Sequence, residues 1–144
     1  MSSNFTYISS TFTLLAATLQ KAEQQVYTEP TYSVVLCRKS LEEWVRWLYE
    51  NDADLEEPYD TSLNTLLHQQ DFKDLLAPSL FKQVNLVRKL GNDAVHTNIK
   101  IKPSDALHVL QLMHGFTAWV VKVYSDTKVV IPPFDIALVP TVAD

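Results

Sequence analysis

Apolar residues return every three or four positions along most of the chain, which is the spacing of one face of an α-helix. The pattern predicts helices over residues 11–27, 30–50, 61–68, 71–76, 78–96 and 104–124. Pro30, Pro78 and Pro103 each stand at a predicted helix start, where proline is well tolerated, and Asp71 is the expected cap of the fourth helix. These features predict an all-α fold, an up-and-down bundle of about four to five main helices with an extended C-terminal tail.

The helix predicted over residues 78–96 organises the rest of the chain. Its apolar or small stripe consists of Leu80, Val84, Val87, Gly91 and Ala94. A glycine inside a helix costs about 1 kcal/mol relative to alanine, so it usually has a packing or functional reason. We therefore predict that a neighbouring helix comes close to this helix at Gly91.

Arg88, Asn92 and His96 follow one another at i, i+4 and i+8, so they form a row along the flank of the same helix. The favoured interpretation is a structural polar network, which Arg38 and Glu42 of the second predicted helix would join, with His96 partly buried near the helix end. The alternative is a phosphate-contacting or RNA-cleaving site, in which the arginine stabilises charge and the histidine is the acid or base. A binding surface without catalysis is the third interpretation.

The last predicted helix has two apolar faces. One consists of Ala106, Leu110, Met113, Thr117, Val120 and Tyr124, and the other of Val109, Leu112, Phe116, Trp119 and Val123. Either this helix is buried on most sides, or one face meets a homodimer partner or the rest of a longer chain. The second helix also carries apolar residues on two sides, which predicts a central place in the bundle.

Composition limits the classes of function. With 144 residues, 47% of them apolar, the chain fits one globular domain, and two glycines are few for a β-sandwich. The net charge of −5 gives no overall basic surface, so strong nonspecific binding of nucleic acid by this domain alone is not expected. The local candidates for nucleic-acid contact are the lysines Lys82, Lys89, Lys100 and Lys102.

Most chemical motifs are absent from the sequence. Phosphate-binding loops, Cys-x-x-Cys and His-Glu-x-x-His do not occur, and the acidic stretch 51–60 lacks the spacing of a calcium loop. We predict no catalytic residue, metal or cofactor for this segment. Cys37, the single cysteine, is expected in the core. The chain shows neither a membrane-spanning run nor a signal peptide, which predicts a cytoplasmic protein with no membrane partner.

Short segments along nearly the whole chain carry a family resemblance. They are Ser3-Asn-Phe5, Ala22-Glu23, Arg38-Lys-Ser-Leu-Glu42, Trp47-Leu-Tyr49, Pro58-Tyr-Asp60, Leu90-Gly-Asn-Asp-Ala-Val-His96, Asp105-Ala-Leu107 and Pro132-Pro-Phe-Asp135. In this order and spacing the sequence resembles the helical N-terminal region of type I restriction enzyme R-subunit-like proteins, which carry DEAD/DEAH-type helicase motors.

Three prolines and the run Ile131-Pro-Pro-Phe-Asp135 predict that residues 127–144 are a linker, part of it laid on a bundle domain over residues 1–126, and the resemblance agrees with this division. In such proteins endonuclease and translocase domains follow, so ATP and Mg²⁺ would belong to those domains. It implies a non-catalytic accessory role, with the motor domains, other restriction-modification subunits and, through the parent complex, DNA as partners. A homodimer is the alternative assembly.

The same region is distantly similar to the HEPN superfamily, whose active members are dimeric, metal-independent RNases with an Arg-Asn/His-x-x-x-His motif. Asn92 and His96 match the later positions of this motif, but its arginine falls on Gly91. Arg88, one turn earlier, would have to substitute. This resemblance implies the alternative function, a divergent RNase that uses Arg88, Asn92 and His96.

Overall fold

The computed structural model describes residues 3–126 and 128–141, and in these ranges it contains helices and no strand. The α-helices are α1 (Thr13–Gln25), α2 (Pro30–Asn51), α3 (Leu63–His68), α4 (Gln70–Leu75), α5 (Pro78–His96) and α6 (Pro103–Tyr124). Short 3-10 turns cover Thr6–Ile8 and Ile136–Leu138. The predicted all-α bundle is confirmed. Among the described residues, no helix is long and apolar enough to cross a membrane.

The helix starts follow the predicted local chemistry with one exception. Pro30, Pro78 and Pro103 are each the first residue of a helix. The prediction that Asp71 caps α4 is wrong, because α4 begins one residue earlier and Gln69 occupies the cap position. Asp71 instead lies in the first turn, where a carboxylate still interacts favourably with the helix dipole.

Helix α2 is the central helix and packs against α1, α5 and α6. Its predicted main stripe, Val34, Cys37, Leu41, Trp44 and Leu48, is fully buried. Within this core the indole N–H of Trp44 donates a hydrogen bond to Thr117 Oγ1 of α6 at 3.1 Å. Burial raises the pKa of the Cys37 thiol to about 12, so this cysteine is a core residue and not a nucleophile, as predicted.

Helix α6 is buried on most sides, which was the first of the two alternatives. Of its two predicted apolar faces, Val123 alone is exposed and every other residue is buried or half-buried. On another side, His114 is buried among the rings of Phe5, Tyr7 and Phe134. Most of the apolar surplus of α6 is therefore packed inside the chain.

One asparagine, Asn4, joins the segment before α1 to helix α1 and to the C-terminal tail by hydrogen bonds. The amide nitrogen of Asn4 donates to Glu23 Oε2 of α1 at 2.7 Å and to the backbone oxygen of Asp135 at 3.0 Å. Its amide oxygen accepts the backbone N–H of Asp135 at 2.7 Å. Val139 is also buried, so part of the tail is laid on the bundle as expected. The domain boundary after residue 126 stays a prediction.

Candidate functional site

Helices α2 and α5 cross closely where Arg38 meets Gly91. A β-carbon built on Gly91 would lie within 2.8 Å of three side-chain carbons of Arg38. Such separations are too short for real carbon atoms, so any larger residue at position 91 would force one helix to shift. The predicted close approach at Gly91 is confirmed, and its neighbour is the aliphatic part of an arginine.

A second arginine lies beside the first. Arg88 stands three residues before Gly91 on α5, and its Nε donates a hydrogen bond to Asn85 Oδ1 at 3.0 Å. Burial lowers the pKa of Arg88, and the positive charge of Arg38 lowers it further. The crossing therefore places two cationic groups in each other's electrostatic field.

One carboxylate, that of Glu42, forms salt bridges with two arginines of α2. Glu42 Oε2 pairs with Arg38 Nη1 at 3.3 Å, and Glu42 Oε1 pairs with Arg46 Nη2 at 3.5 Å. Both pairs are partly solvated, so each contributes only a few tenths of a kcal/mol. These two pairs are the salt bridges found among the described residues.

Arg38, Arg46 and Arg88 are all the arginines of the chain, and we call them the arginine cluster. Glu42 pairs with two of these guanidinium groups, those of Arg38 and Arg46, whereas Arg88 bonds to the neutral Asn85. In addition, Arg38 Nε is buried and has no hydrogen-bond partner in the described structure. The cluster has an excess of positive charge on a chain whose net charge is −5, and it retains at least one unused donor.

The predicted polar network forms only in part. Arg38 and Glu42 pair as expected, whereas Asn92 is half-buried and His96 is exposed. Within residues 3–126 and 128–141, no hydrogen bond or ion pair joins Asn92 or His96 to Arg38, Glu42 or Arg88. The reason is angular, since successive residues of a helix advance by about 100° and His96 lies well away from the Gly91 side of α5. The expectation of a partly buried His96 is wrong.

The predicted nucleic-acid contacts are all open to solvent. Lys82 and Lys89 lie two turns apart on the outer face of α5, while Lys100 and Lys102 lie in the connector to α6. No described carboxylate pairs with any of these four side chains. Their contact with nucleic acid stays a prediction.

Two side chains of this site were missed from the sequence. Arg46 lies four residues after Glu42, the spacing of a helical ion pair, so the pattern that identified Arg38 and Glu42 contained it. Asn85 lies three residues before Arg88, a spacing that also places side chains together on a helix. The described residues contain no group of histidine, cysteine or carboxylate side chains arranged to hold a metal ion.

Most of the chain matches one protein-family model. A family model described as "Domain of unknown function (DUF4145)" matches residues 20–132, a range that contains the arginine cluster and every helix from α2 to α6. Searches of curated proteins and of solved structures found no match.

Proposed function

We propose that this chain, which belongs to the DUF4145 family, is a non-catalytic docking module of a larger DNA-processing enzyme. The parent would be a type I restriction enzyme R-subunit-like ATP-dependent translocase and endonuclease, as the sequence resemblance implies. The docking surface would be the arginine cluster with the exposed lysines of α5. Its ligand would be the phosphate backbone of the DNA on which the parent complex acts.

The observation that carries this proposal is the pairing of Arg38 with Arg88 around Gly91. Two neighbouring guanidinium groups repel each other, and a bound phosphate would neutralise both of them. Arginine also suits phosphate particularly well, because its planar fork donates two parallel hydrogen bonds.

A docking role explains the arrangement of the arginine cluster better than a catalytic role does. A general acid or base must lie within hydrogen-bonding reach of the proton that it transfers. His96 is exposed, and no described contact links it to the arginine cluster. The cluster itself supplies positive charge and hydrogen-bond donors, which are the requirements of binding.

The test is DNA binding by the purified chain, measured by fluorescence anisotropy with a labelled duplex in low salt. The double variant Arg38→Gln/Arg88→Gln should bind at least about tenfold more weakly, and its affinity should depend less steeply on salt concentration. Lys122→Gln is the matched control, because it removes an exposed cation from α6 and should leave binding unchanged. Equal loss in the control, or no binding by the wild-type chain, would contradict the proposal.

The alternative function is a divergent, metal-independent RNase that uses Arg88, Asn92 and His96. One observation favours it: the side chain of Arg38 covers Gly91, the position on which the arginine of the HEPN motif falls. An arginine from α2 would then stand in for the missing one. Incubation with single-stranded RNA in EDTA tests this function. Cleavage that is lost in both His96→Ala and Arg38→Gln would support it, and inert wild-type protein would exclude it.

A further inference from the structure

A cavity of about 290 Å³ lies between the segment before α1 and the ends of α2 and α6. Its lining residue Trp47 directly follows Arg46 on α2 and lies more than two helical turns after Arg38. Four aromatic residues line it, and each is half-buried: Tyr7, Phe12, Trp47 and Tyr124. Most of the remaining lining is aliphatic, from Ile8, Val120, Val121 and Val129. This cavity plays no part in the proposed docking function.

The ring of Trp47 stands nearly at right angles to two of the other rings. Trp47 is nearly perpendicular to Phe12, with ring centroids 5.3 Å apart and an interplanar angle of 82°. It is also nearly perpendicular to Tyr124, at 5.9 Å and 89°. Phe12, Trp47 and Tyr124 therefore line the cavity with rings in different orientations.

The charged side chain that lines the cavity is negative. Asp126 lines it directly, and Asp52 Oδ2 accepts a hydrogen bond from the Tyr124 hydroxyl at 2.6 Å. Burial and the neighbouring carboxylates raise the pKa of Tyr124, so its ring stays a neutral phenol that donates to a carboxylate. No lysine, arginine or histidine is among the residues that line this cavity.

We infer that this cavity binds a quaternary ammonium group. The faces of aromatic rings attract cations, and Asp126 adds a favourable charge while it repels anions. A quaternary ammonium has no N–H groups that must keep hydrogen-bond partners, so it leaves water for an aromatic cavity at a lower cost than a primary ammonium does. The volume is at the small end for ligand sites, which suits a head group.

Two sources carry this chemistry: a free small molecule such as choline, and a trimethylated lysine of another protein. Both present the same trimethylammonium group, and they differ in the chemical group to which it is attached. Free trimethyl-lysine and a peptide that contains it should bind equally if the ligand is a small molecule. Tighter binding of the peptide would identify a modified protein as the source.

The test compares choline with 3,3-dimethylbutan-1-ol, which has the same shape without the charge. Binding to the intact chain is measured by saturation-transfer NMR on the ligand methyl signals. We expect choline to bind roughly 3- to 30-fold more tightly than the neutral alcohol, the range that cation–π attraction supports. Equal binding of the two ligands, or no binding of choline at about 10 mM, would overturn the inference.

Variants connect the binding to this cavity. Trp47→Leu should abolish the preference for choline, whereas Trp119→Phe, outside the cavity lining, should retain it. Because Trp47 also packs against the core, the exposed Asp126→Asn provides a variant that leaves packing intact. It should weaken choline and not the alcohol, and the exposed Glu57→Gln should change neither. An unchanged choline affinity in Asp126→Asn together with Trp47→Leu would overturn the assignment.

Discussion

Arg38 lies across Gly91, so that the aliphatic carbons of an arginine occupy the space where any other residue at position 91 would place its β-carbon. The glycine thereby fixes how close α2 and α5 come, and it places the Arg38 guanidinium beside Arg88. The small size of Gly91 thus determines where two positive charges of the proposed docking surface lie.

Gly91→Ala should destabilise the protein by about 1–3 kcal/mol, the usual cost of overpacking, even though alanine favours a helix. Chemical denaturation of the purified chain measures the change. The contact involves Arg38 Cβ as well as the rest of the side chain, so Arg38→Ala should not restore stability to the Gly91→Ala variant.

Gly115→Ala is the matched control, because a β-carbon at Gly115 of α6 would meet no atom within 4 Å. Here the helix preference of alanine acts alone, and the free energy of unfolding should rise by about 0.5–1 kcal/mol. If the two alanine variants shifted stability in the same direction, close packing would not be the reason for glycine at position 91.

Asn4→Ala should cost about 2–3 kcal/mol, because Glu23 is buried and its carboxylate would lose the amide donor of Asn4. The tail should also become more sensitive to proteolysis, since its bonds to Asn4 disappear. Urea denaturation and limited proteolysis measure the two effects. Glu23→Gln keeps an acceptor for Asn4 and should cost less. An equally large loss in both variants would indicate that the carboxylate charge matters as much to this contact as the hydrogen bond.

Thr117→Val should cost about 1–3 kcal/mol, although valine has nearly the same shape. The substitution removes the hydroxyl that accepts the indole N–H of Trp44, and it leaves that buried donor without a partner. Thr117→Ser retains the hydroxyl, loses one methyl group and should cost about 1 kcal/mol. Thermal unfolding distinguishes the two. A serine variant less stable than the valine variant would show that packing outweighs the hydrogen bond.

Stability should fall as the pH drops below about 6.5, the ordinary pKa of histidine in an unfolded chain. Burial lowers the pKa of His114, and a hydrogen bond to the Pro132 carbonyl opposes that shift only in part. Between the two pKa values the unfolded chain therefore binds a proton that the folded protein does not. The contribution is fully present above pH 6.5 and is lost below it.

His114→Gln should flatten the dependence of the melting temperature on pH just below about 6.5, because the titrating group is gone. His108→Gln, which replaces an exposed histidine of the same helix, should leave the slope of the wild-type protein. A slope unchanged in His114→Gln would assign the pH dependence to other groups.

The helices could be predicted from the sequence because they depend on local signals. The periodic stripe and the opening proline defined α5 to its observed bounds, Pro78–His96. The glycine on that stripe correctly indicated a close crossing. The place of α4 was harder, because its start is set by the end of α3 directly before it, which left Asp71 inside the helix instead of at its cap.

The candidate site was harder to predict, since it depends on contacts between helices. Arg88, Asn92 and His96 are regularly spaced along α5. Which of them belongs to the site depends on its position relative to Arg38, which packs against Gly91 from α2. The Asn4 contacts with Glu23 and Asp135 span 19 and 131 positions of the chain, and no periodicity signals such a meeting. Each of these three residues belongs to a separate short segment of the family resemblance, and nothing in the sequence joins those segments.

Asn4 also fixes how the two ends of the described chain are arranged, because it bonds to the backbone of Asp135. The polypeptide therefore enters and leaves the bundle at neighbouring points. Such a layout suits circular permutation, in which a short loop joins residues near these two points and new termini open elsewhere, for example in the exposed stretch 56–60. It equally suits grafting the whole bundle into a surface loop of an unrelated host protein.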